Sequence, residues 1–275
     1  SSNCSNDSSF GASGNSSMTG TYNTATGCRS LESNTTGTGN TGVGALALYA
    51  NTTGDNNVGV GYAALYQNTT GDNNNAVGVG ALHTNTTGSF NVAFGYYSLF
   101  SNTTGSNNTS IGDRALTNNT TGSNNIALGK YGLYANTTGA YNVGVGSSVL
   151  YAKTTGGYNV GIGGLAQSSN TTGSDNVAVG YYALYDNTTG VSNVAVGREA
   201  LTYNTTGNYH TAVGHQALRS NTTGQFNTAF GYRALYANTT GTRNVGVGLE
   251  SLTYNTTGSY NIGIGYGALY SNTTA

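Results

Sequence analysis

Asparagine side chains in a recurring Asn-Thr-Thr-Gly tetrapeptide are the groups in this sequence whose type and spacing could carry chemistry. Asn-x-Thr is the acceptor sequence for N-linked glycosylation, which attaches a sugar to an accessible asparagine. An alternative is that the tetrapeptide is a structural corner, because Asn tolerates left-handed backbone and Thr hydroxyls bond locally. The pattern predicts fourteen candidate N-glycosylation sites: Asn34, Asn51, Asn68, Asn85, Asn102, Asn119, Asn136, Asn170, Asn187, Asn204, Asn221, Asn238, Asn255 and Asn272.

The two cysteines of the chain are a second candidate for covalent chemistry. Cys4 precedes the first repeat and Cys28 lies in it, at a position where other repeats carry exposed residues. A pair of cysteines at one end of an array can form a disulfide that closes that end. We expect a Cys4–Cys28 disulfide, with two free thiols as the alternative.

Other residues that often do chemistry are scattered. His83, His210 and His215 fall at three different places in the repeat, so they define no metal cluster. Residues 59–64 and 161–166 match the Gly-x-Gly-x-x-Gly/Ala dinucleotide fingerprint, but that motif needs a long helix that a short repeat cannot hold. The sequence therefore predicts no cofactor, no metal ion and no enzyme.

The spacing of the tetrapeptide defines the architecture. Its asparagines are 17 residues apart, or a multiple of 17, and the period holds through fifteen repeats from Ser17 to Ser271. Such an array stacks one small motif on its own copies. We number each repeat from this asparagine, so that Asn85 is position 1. Positions 4 and 11 are Gly in every repeat, which predicts two corners with positive φ or close backbone approach.

The apolar pattern predicts the elements between these corners. Positions 8 to 10, such as residues 92–94, alternate with the period of two that is typical of a strand. Positions 12 to 16 commonly contain Ala-Leu-Tyr and fit either a second short strand, which we favour, or a short helical turn. The predicted fold is an all-β parallel β-solenoid, a β-helix or β-roll of about 15 turns.

Charged residues indicate which positions face inward. Between residues 17 and 271 they occur at positions 1, 5, 6, 12, 13, 16 and 17 and at no others. Because unpaired charges rarely enter a core, we expect positions 8, 10 and 15 to form interior apolar ladders. Position 9, always Gly, Ala or Ser, would then form a smooth outer stripe for lateral or trimeric packing. Position 7 is Asn in every repeat but one, where His210 stands, and we expect its amides to stack.

Composition limits the partners. The chain has 8 basic and 9 acidic residues among 275, too few charges for the electrostatics of nucleic-acid binding. No apolar run approaches the roughly 20 residues of a membrane span. Residues 1–16 are expected to form an N-terminal cap segment and residues 17–275 a single solenoid. The chain begins Ser-Ser, as in a trimmed secreted product, and stops inside a corner, which is expected either for end-to-end assembly with copies of itself or for a piece of a longer array.

Tyrosine is abundant, with 22 copies, and clusters at positions 6, 12, 13 and 16. Exposed tyrosines pack on sugars or on neighbouring molecules, or they cover the edge of the core. Rows of threonine also occur on ice-binding solenoids, but here the threonines are adjacent, so they point in opposite directions from a strand. Ice binding is therefore a minor alternative.

The repeat resembles those of known fibre proteins. Residues 176–184 and 193–201 both fit Asn-x-Ala-Val-Gly-x-x-Ala-Leu, which is similar to repeats of phage tail fibres and cell-surface fibres and, more distantly, of trimeric autotransporter adhesin heads. The resemblance implies an extracellular β-roll shaft. The main hypothesis is a secreted, non-enzymatic structural fibre, glycosylated at its corners. The alternative is an adhesin or viral fibre shaft that binds cell-surface carbohydrate.

Overall fold

A computed structural model describes residues 16–274, which fall into two compact units, the first ending at Thr138 and the second beginning at Gly139. The protein is an all-β, parallel β-solenoid with one three-residue strand in each 17-residue turn. The predicted fold class is confirmed.

Each strand occupies positions 8 to 10 of its repeat. The first unit contains β1 Thr24–Thr26, β2 Thr41–Val43, β3 Val58–Val60, β4 Asn75–Val77, β5 Val92–Phe94, β6 Thr109–Ile111 and β7 Ile126–Leu128. The second unit contains β8 Val143–Val145, β9 Val160–Ile162, β10 Val177–Val179, β11 Val194–Val196, β12 Thr211–Val213, β13 Thr228–Phe230, β14 Val245–Val247 and β15 Ile262–Ile264.

Within each unit the strands pair in parallel with a constant register. Each residue lies opposite the residue 17 positions later, as Val177 does opposite Val194. The same register holds from β1 to β7 and from β8 to β15. Because register follows the period, equivalent side chains stack into rows along each unit.

The direction of the strand side chains is the reverse of the prediction. Position 9 is buried, with Ala76, Ala93 and Ala178 fully inaccessible, whereas positions 8 and 10 are half-buried or exposed. A period of two fixes that alternate residues share a face, but it does not say which face is inside. The expected interior ladders at 8 and 10, and the expected outer stripe at position 9, are therefore wrong.

The interior is narrow, which explains the small residues at position 9. It is filled by the position 15 leucines, small residues at 9 and 14, and asparagines at 1 and 7. A Cβ added at Gly59 would lie 3.3 Å from Leu48 Cγ and 3.2 Å from the carbonyl oxygen of Ala64. Only very small side chains fit beside the leucine row, so the larger valines of the strand must point outward.

The two invariant glycines are required for different reasons. Every position 11 glycine has a positive φ, such as +127° at Gly61, which other residues adopt at a cost. Position 4 instead needs close approach, because a Cβ at Gly54 would lie 2.5 Å from the carbonyl oxygen of Gly71. Both predicted corners are confirmed.

Positions 12 to 17 are neither the favoured second strand nor the alternative helical turn in residues 16–274. Positions 13 and 15 have left-handed φ, for example +55° at Ala63 and +52° at Leu65. Their amides donate in opposite directions, from Ala63 to the Ala45 carbonyl of the preceding turn and from Leu65 to the Ala81 carbonyl of the next. This folded ribbon therefore links adjacent turns as a strand would.

The N-terminal predictions concern residues that are mostly undescribed. Residues 1–15, including Cys4, lie outside the described range, while Cys28 is partly buried at position 12. The cap segment and the Cys4–Cys28 disulfide therefore remain predictions.

Candidate functional site

The candidate glycosylation residues form a buried ladder of amides. In the first unit each position 1 Nδ2 donates to Oδ1 of the asparagine one turn earlier, over 2.7–2.9 Å from Asn51 to Asn136. The same nitrogen donates to the position 4 carbonyl of its own turn, as Asn85 does to Gly88 at 2.8 Å. From Asn51 to Asn119, both amide hydrogens and the oxygen are thereby used.

This geometry argues against glycosylation at these sites. Thirteen of the fourteen asparagines are fully buried, and only Asn272, in the last described turn, is partly accessible. A glycan would replace an Nδ2 hydrogen that a buried hydrogen bond needs, and it has no space inside the turn. Glycosylation of these corners stays a prediction, and the burial of the asparagines favours the alternative that Asn-Thr-Thr-Gly is a structural corner.

Position 7 carries a second ladder, as predicted, and connects to the first. Asn57 accepts the backbone N–H of Asn74 at 2.9 Å and donates from Nδ2 to the Gly71 carbonyl of the next turn at 2.8 Å. That carbonyl also accepts from Asn68, at 2.9 Å. Where both positions are asparagine, the position 4 carbonyl thus joins both ladders, which satisfies polar groups that burial would otherwise penalise.

Lys153 interrupts the position 1 ladder in the second unit. Its side chain is fully buried and its Nζ donates to the Gly173 carbonyl of the next turn. Burial lowers its pKa to about 7. Lysine offers no acceptor, so Asn170 Nδ2 turns to Oε1 of Gln167 at 3.0 Å, and Asn170 Oδ1 has no hydrogen-bond partner.

His210 interrupts the position 7 ladder but reproduces its bonds. Its Nε2 is 2.7 Å from the Gly224 carbonyl, where an asparagine would place Nδ2, and its Nδ1 accepts the backbone N–H of Asn227 at 3.2 Å. These two partners require the neutral tautomer that carries its hydrogen on Nε2. Burial lowers the pKa of His210 to about 4, which keeps the ring neutral.

The outer face of the strands is apolar and without charge. Positions 8 and 10 hold Val, Ile, Leu, Phe, Thr or Asn in all fifteen turns, although they point outward. Phe94 is 42% exposed and Ile111 44%. The other outward ribbon, positions 12 to 17, carries most of the charged residues. We call the rows at positions 8 and 10 the strand face and the ribbon at positions 12 to 17 the aromatic face.

The aromatic face of the first unit holds a cleft of about 250 Å³. Beside it, Tyr49, Tyr66, His83 and Phe100 stack in one row, with ring centroids 4.8–5.1 Å apart. His83 is half-buried, and burial lowers its pKa. The cleft has no charged residue in its wall, which is formed by Leu46, Tyr62, Ala63, Tyr66, Val79, Gly80, His83, Tyr97 and Phe100.

The aromatic face of the second unit holds a cleft of about 370 Å³ with different chemistry. Four tyrosines line it together with charged and hydroxyl groups. The rings of Tyr181, Tyr182 and Tyr185 make consecutive contacts, with centroids 4.4 and 4.6 Å apart. The other lining residues are Tyr203, Asp186, Glu199, Thr202 and Arg219.

Glu199 and Arg219 brace the wall of this second cleft. The carboxylate of Glu199 accepts from Arg219 Nε at 3.1 Å and from Gln216 Nε2 at 2.9 Å. Its pKa is lowered, first by the Gln216 hydrogen bond and then by the neighbouring arginines. The guanidinium of Arg219 lies 4.8 Å from the Tyr203 ring centroid and donates to the Tyr203 hydroxyl at 3.1 Å.

Asp186 is the remaining carboxyl group of the second cleft. It is partly buried, and burial raises its pKa. Among the described residues its carboxylate has no hydrogen bond or ion pair, in contrast to that of Glu199. The sequence pattern did not single out this cleft, although four tyrosines between residues 181 and 203 are a local signal.

Two further predictions concern surface threonines and metal ligands. Position 2 hydroxyls are engaged in the stack, as Thr86 Oγ1 donates to the Thr103 carbonyl at 3.0 Å, whereas position 3 threonines such as Thr87 are exposed, and ice binding stays an untested alternative. Residues 16–274 contain no cluster of three or more His, Cys, Asp or Glu side chains suited to a metal ion. Within the same range, no helix has the length and apolar character that crossing a membrane requires.

Comparison with known proteins gave no relative: no family model, no curated protein and no solved structure matches this chain.

Proposed function

We propose that this protein is a non-enzymatic extracellular structural protein whose solenoid is the shaft of a fibre and associates with copies of itself through the strand face. The repeat's resemblance to fibre shafts supports the extracellular role. The observation that carries the proposal is the strand face, which points outward in fifteen turns and yet has no charged residue.

A second copy of the chain is the partner that fits this face best. Solvent-exposed rows usually acquire charges, as the aromatic face has, and an uncharged apolar row is typical of a surface that another protein covers. A second solenoid offers the same side chains at the same spacing of about 4.8 Å per turn. Its ridges therefore match the grooves of the first copy over many turns.

Internal cohesion supports the role of a shaft. Within each unit, neighbouring turns are joined by strand pairing, ribbon hydrogen bonds and two asparagine ladders that meet at position 4 carbonyls. Pulling neighbouring turns apart would expose all of these buried polar groups together. The same bonding scheme between turns of different copies would give end-to-end assembly, which electron microscopy of the purified protein can detect as filaments.

Sedimentation velocity over a range of concentrations tests the lateral contact. We expect the wild-type protein to associate and the double variant Phe94→Lys/Ile111→Lys to sediment as a smaller species, because it places charges in the contact. Val79→Lys is the matched control, since Val79 is 41% exposed on the aromatic face. A monomeric wild type, or equal association of the strand-face variant, would overturn the proposal.

A further inference from the structure

The second-unit cleft has the size of a small-molecule site. Its volume of about 370 Å³ falls within the range of roughly 300–1,000 Å³ that such sites occupy. Its wall combines aromatic rings with a few polar groups, which is the usual composition of a binding pocket. The first-unit cleft, at about 250 Å³, is smaller and has no charged group.

Two tyrosines offer ring surface to a ligand. Tyr181 is 49% exposed and Tyr203 is 40% exposed at the cleft. One side of Tyr203 is held by the Arg219 guanidinium, which is itself fixed by Glu199. A braced ring loses little conformational entropy on binding, so it provides a stable platform for a flat apolar surface. The C–H face of a pyranose ring is such a surface.

Asp186 supplies the polar contact that such a ligand needs. A carboxylate accepts several hydrogen bonds, and this one has none within residues 16–274 although it is partly withdrawn from water. Two neighbouring hydroxyl groups of a sugar would donate to its oxygens. A sugar hydroxyl that donates to this carboxylate replaces a water contact, and the partly buried position strengthens the hydrogen bond that forms.

Charge selects among ligands with hydroxyl groups. Among the residues that line the cleft, only Asp186 carries a charge without an ion pair, because Glu199 is paired with Arg219 and, outside the wall, with Arg198. An anionic sugar would be repelled by Asp186. A cationic ligand would compete with Arg219, which already lies over the Tyr203 ring. From these contacts we infer that the cleft between Tyr181, Asp186 and Tyr203 binds a neutral pyranose, a role beyond that of a structural shaft.

Binding of simple glycosides to the full chain tests this inference. Calorimetry and ligand-observed NMR would be run with methyl glycosides of glucose, galactose and mannose, with an amino sugar and a uronic acid as charged probes. We expect at least one neutral glycoside to bind and the uronic acid to bind at least tenfold more weakly. Failure of every neutral glycoside, or tighter binding of a charged probe, would overturn the inference.

Matched variants locate the site. Asp186→Asn removes the charge and one acceptor at constant size, and we expect at least a tenfold loss of affinity. Tyr203→Ala should also lower the affinity at least tenfold, because it removes the ring on which the sugar packs.

Tyr254→Ala is the control, because Tyr254 occupies the same repeat position, is 47% exposed and lies outside the cleft wall. Unchanged binding by Asp186→Asn, or equal loss in the Tyr254 control, would contradict the assignment. Circular dichroism would confirm that the variants are folded.

Discussion

The first unit keeps its asparagine ladders regular, whereas the second unit replaces one asparagine with lysine and another with histidine. From Asn51 to Asn119 each position 1 amide repeats the same bonds. In the second unit Lys153 forces Asn170 out of line, while His210 preserves the pattern. The ladder therefore requires one donor and one acceptor at fixed places, and a residue other than asparagine can supply them, as His210 does.

The largest expected effect is at Lys153. Its pKa is 10.5 in the unfolded chain and about 7 in the fold, so the folded state binds fewer protons between these values. Stability therefore rises as pH increases from 7 to 10.5, by up to about 5 kcal/mol. At pH 7 we expect Lys153→Asn to have a larger free energy of unfolding than the wild type, and this difference should narrow toward pH 10.5. Urea unfolding at several pH values measures both free energies, and a difference that stays constant with pH would contradict the prediction.

Gln167 provides a test of the local compensation at Lys153. In Gln167→Leu alone, Asn170 Nδ2 loses its shortest hydrogen bond and the Val160 carbonyl loses the Gln167 donor, so we expect destabilisation. In the Lys153→Asn background the ladder is restored and leucine should stabilise, because it returns the position to the row of core leucines. Urea unfolding of the two single variants and the double variant gives the coupling free energy between positions 153 and 167. Additive effects of the two substitutions would contradict the expected compensation.

The next largest effect is expected in the regular position 1 ladder of the first unit. Asn85→Ala in the first unit leaves Asn102 Nδ2 without one acceptor and Asn68 Oδ1 without its donor. Two buried unpaired groups and a small cavity should cost about 4 kcal/mol. Thr87→Ala, at an exposed position of the same corner, should change stability by less than about 0.5 kcal/mol. Urea midpoints of the two variants check this, and similar values would refute a structural role of the ladder.

The smallest effect concerns His210 and has the same pH direction as that of Lys153, in a more acidic range. Its pKa is 6.5 when unfolded and about 4 when folded. The stability it contributes is complete above pH 6.5 and is lost as pH falls toward 4, by up to about 3 kcal/mol. Protonation of Nδ1 removes the acceptor of the Asn227 N–H. His210→Asn should unfold less readily at pH 4.5 than the wild type, while both behave alike at pH 7.5. Thermal unfolding at these two pH values measures the change, and equal acid sensitivity would contradict it.

The sequence predicted the repeat, the strands and the glycine corners because these depend on local backbone geometry. Gly61 needs its positive φ and Gly54 its missing Cβ wherever the turn is placed. The charge pattern correctly placed position 15 in the interior, but it assigned the wrong strand face to the interior. Alternation at Val92, Ala93 and Phe94 is equally compatible with either face until the width of the core is known.

For the candidate functional residues as well, the sequence showed the local motif and the tertiary structure showed its surroundings. The Asn-Thr-Thr motif was visible in the sequence. Only the structure showed that its asparagines are buried and hydrogen-bonded to one another in a ladder. The cleft at Asp186 could not be predicted, because it joins residues of three turns whose spacing shows no motif.

The sequence by itself determined the 17-residue turn, since its period sets the register of every pair. The tertiary structure decided which side of the strand faces inward, because the leucine and asparagine rows leave room there for Gly, Ala or Ser and for nothing larger.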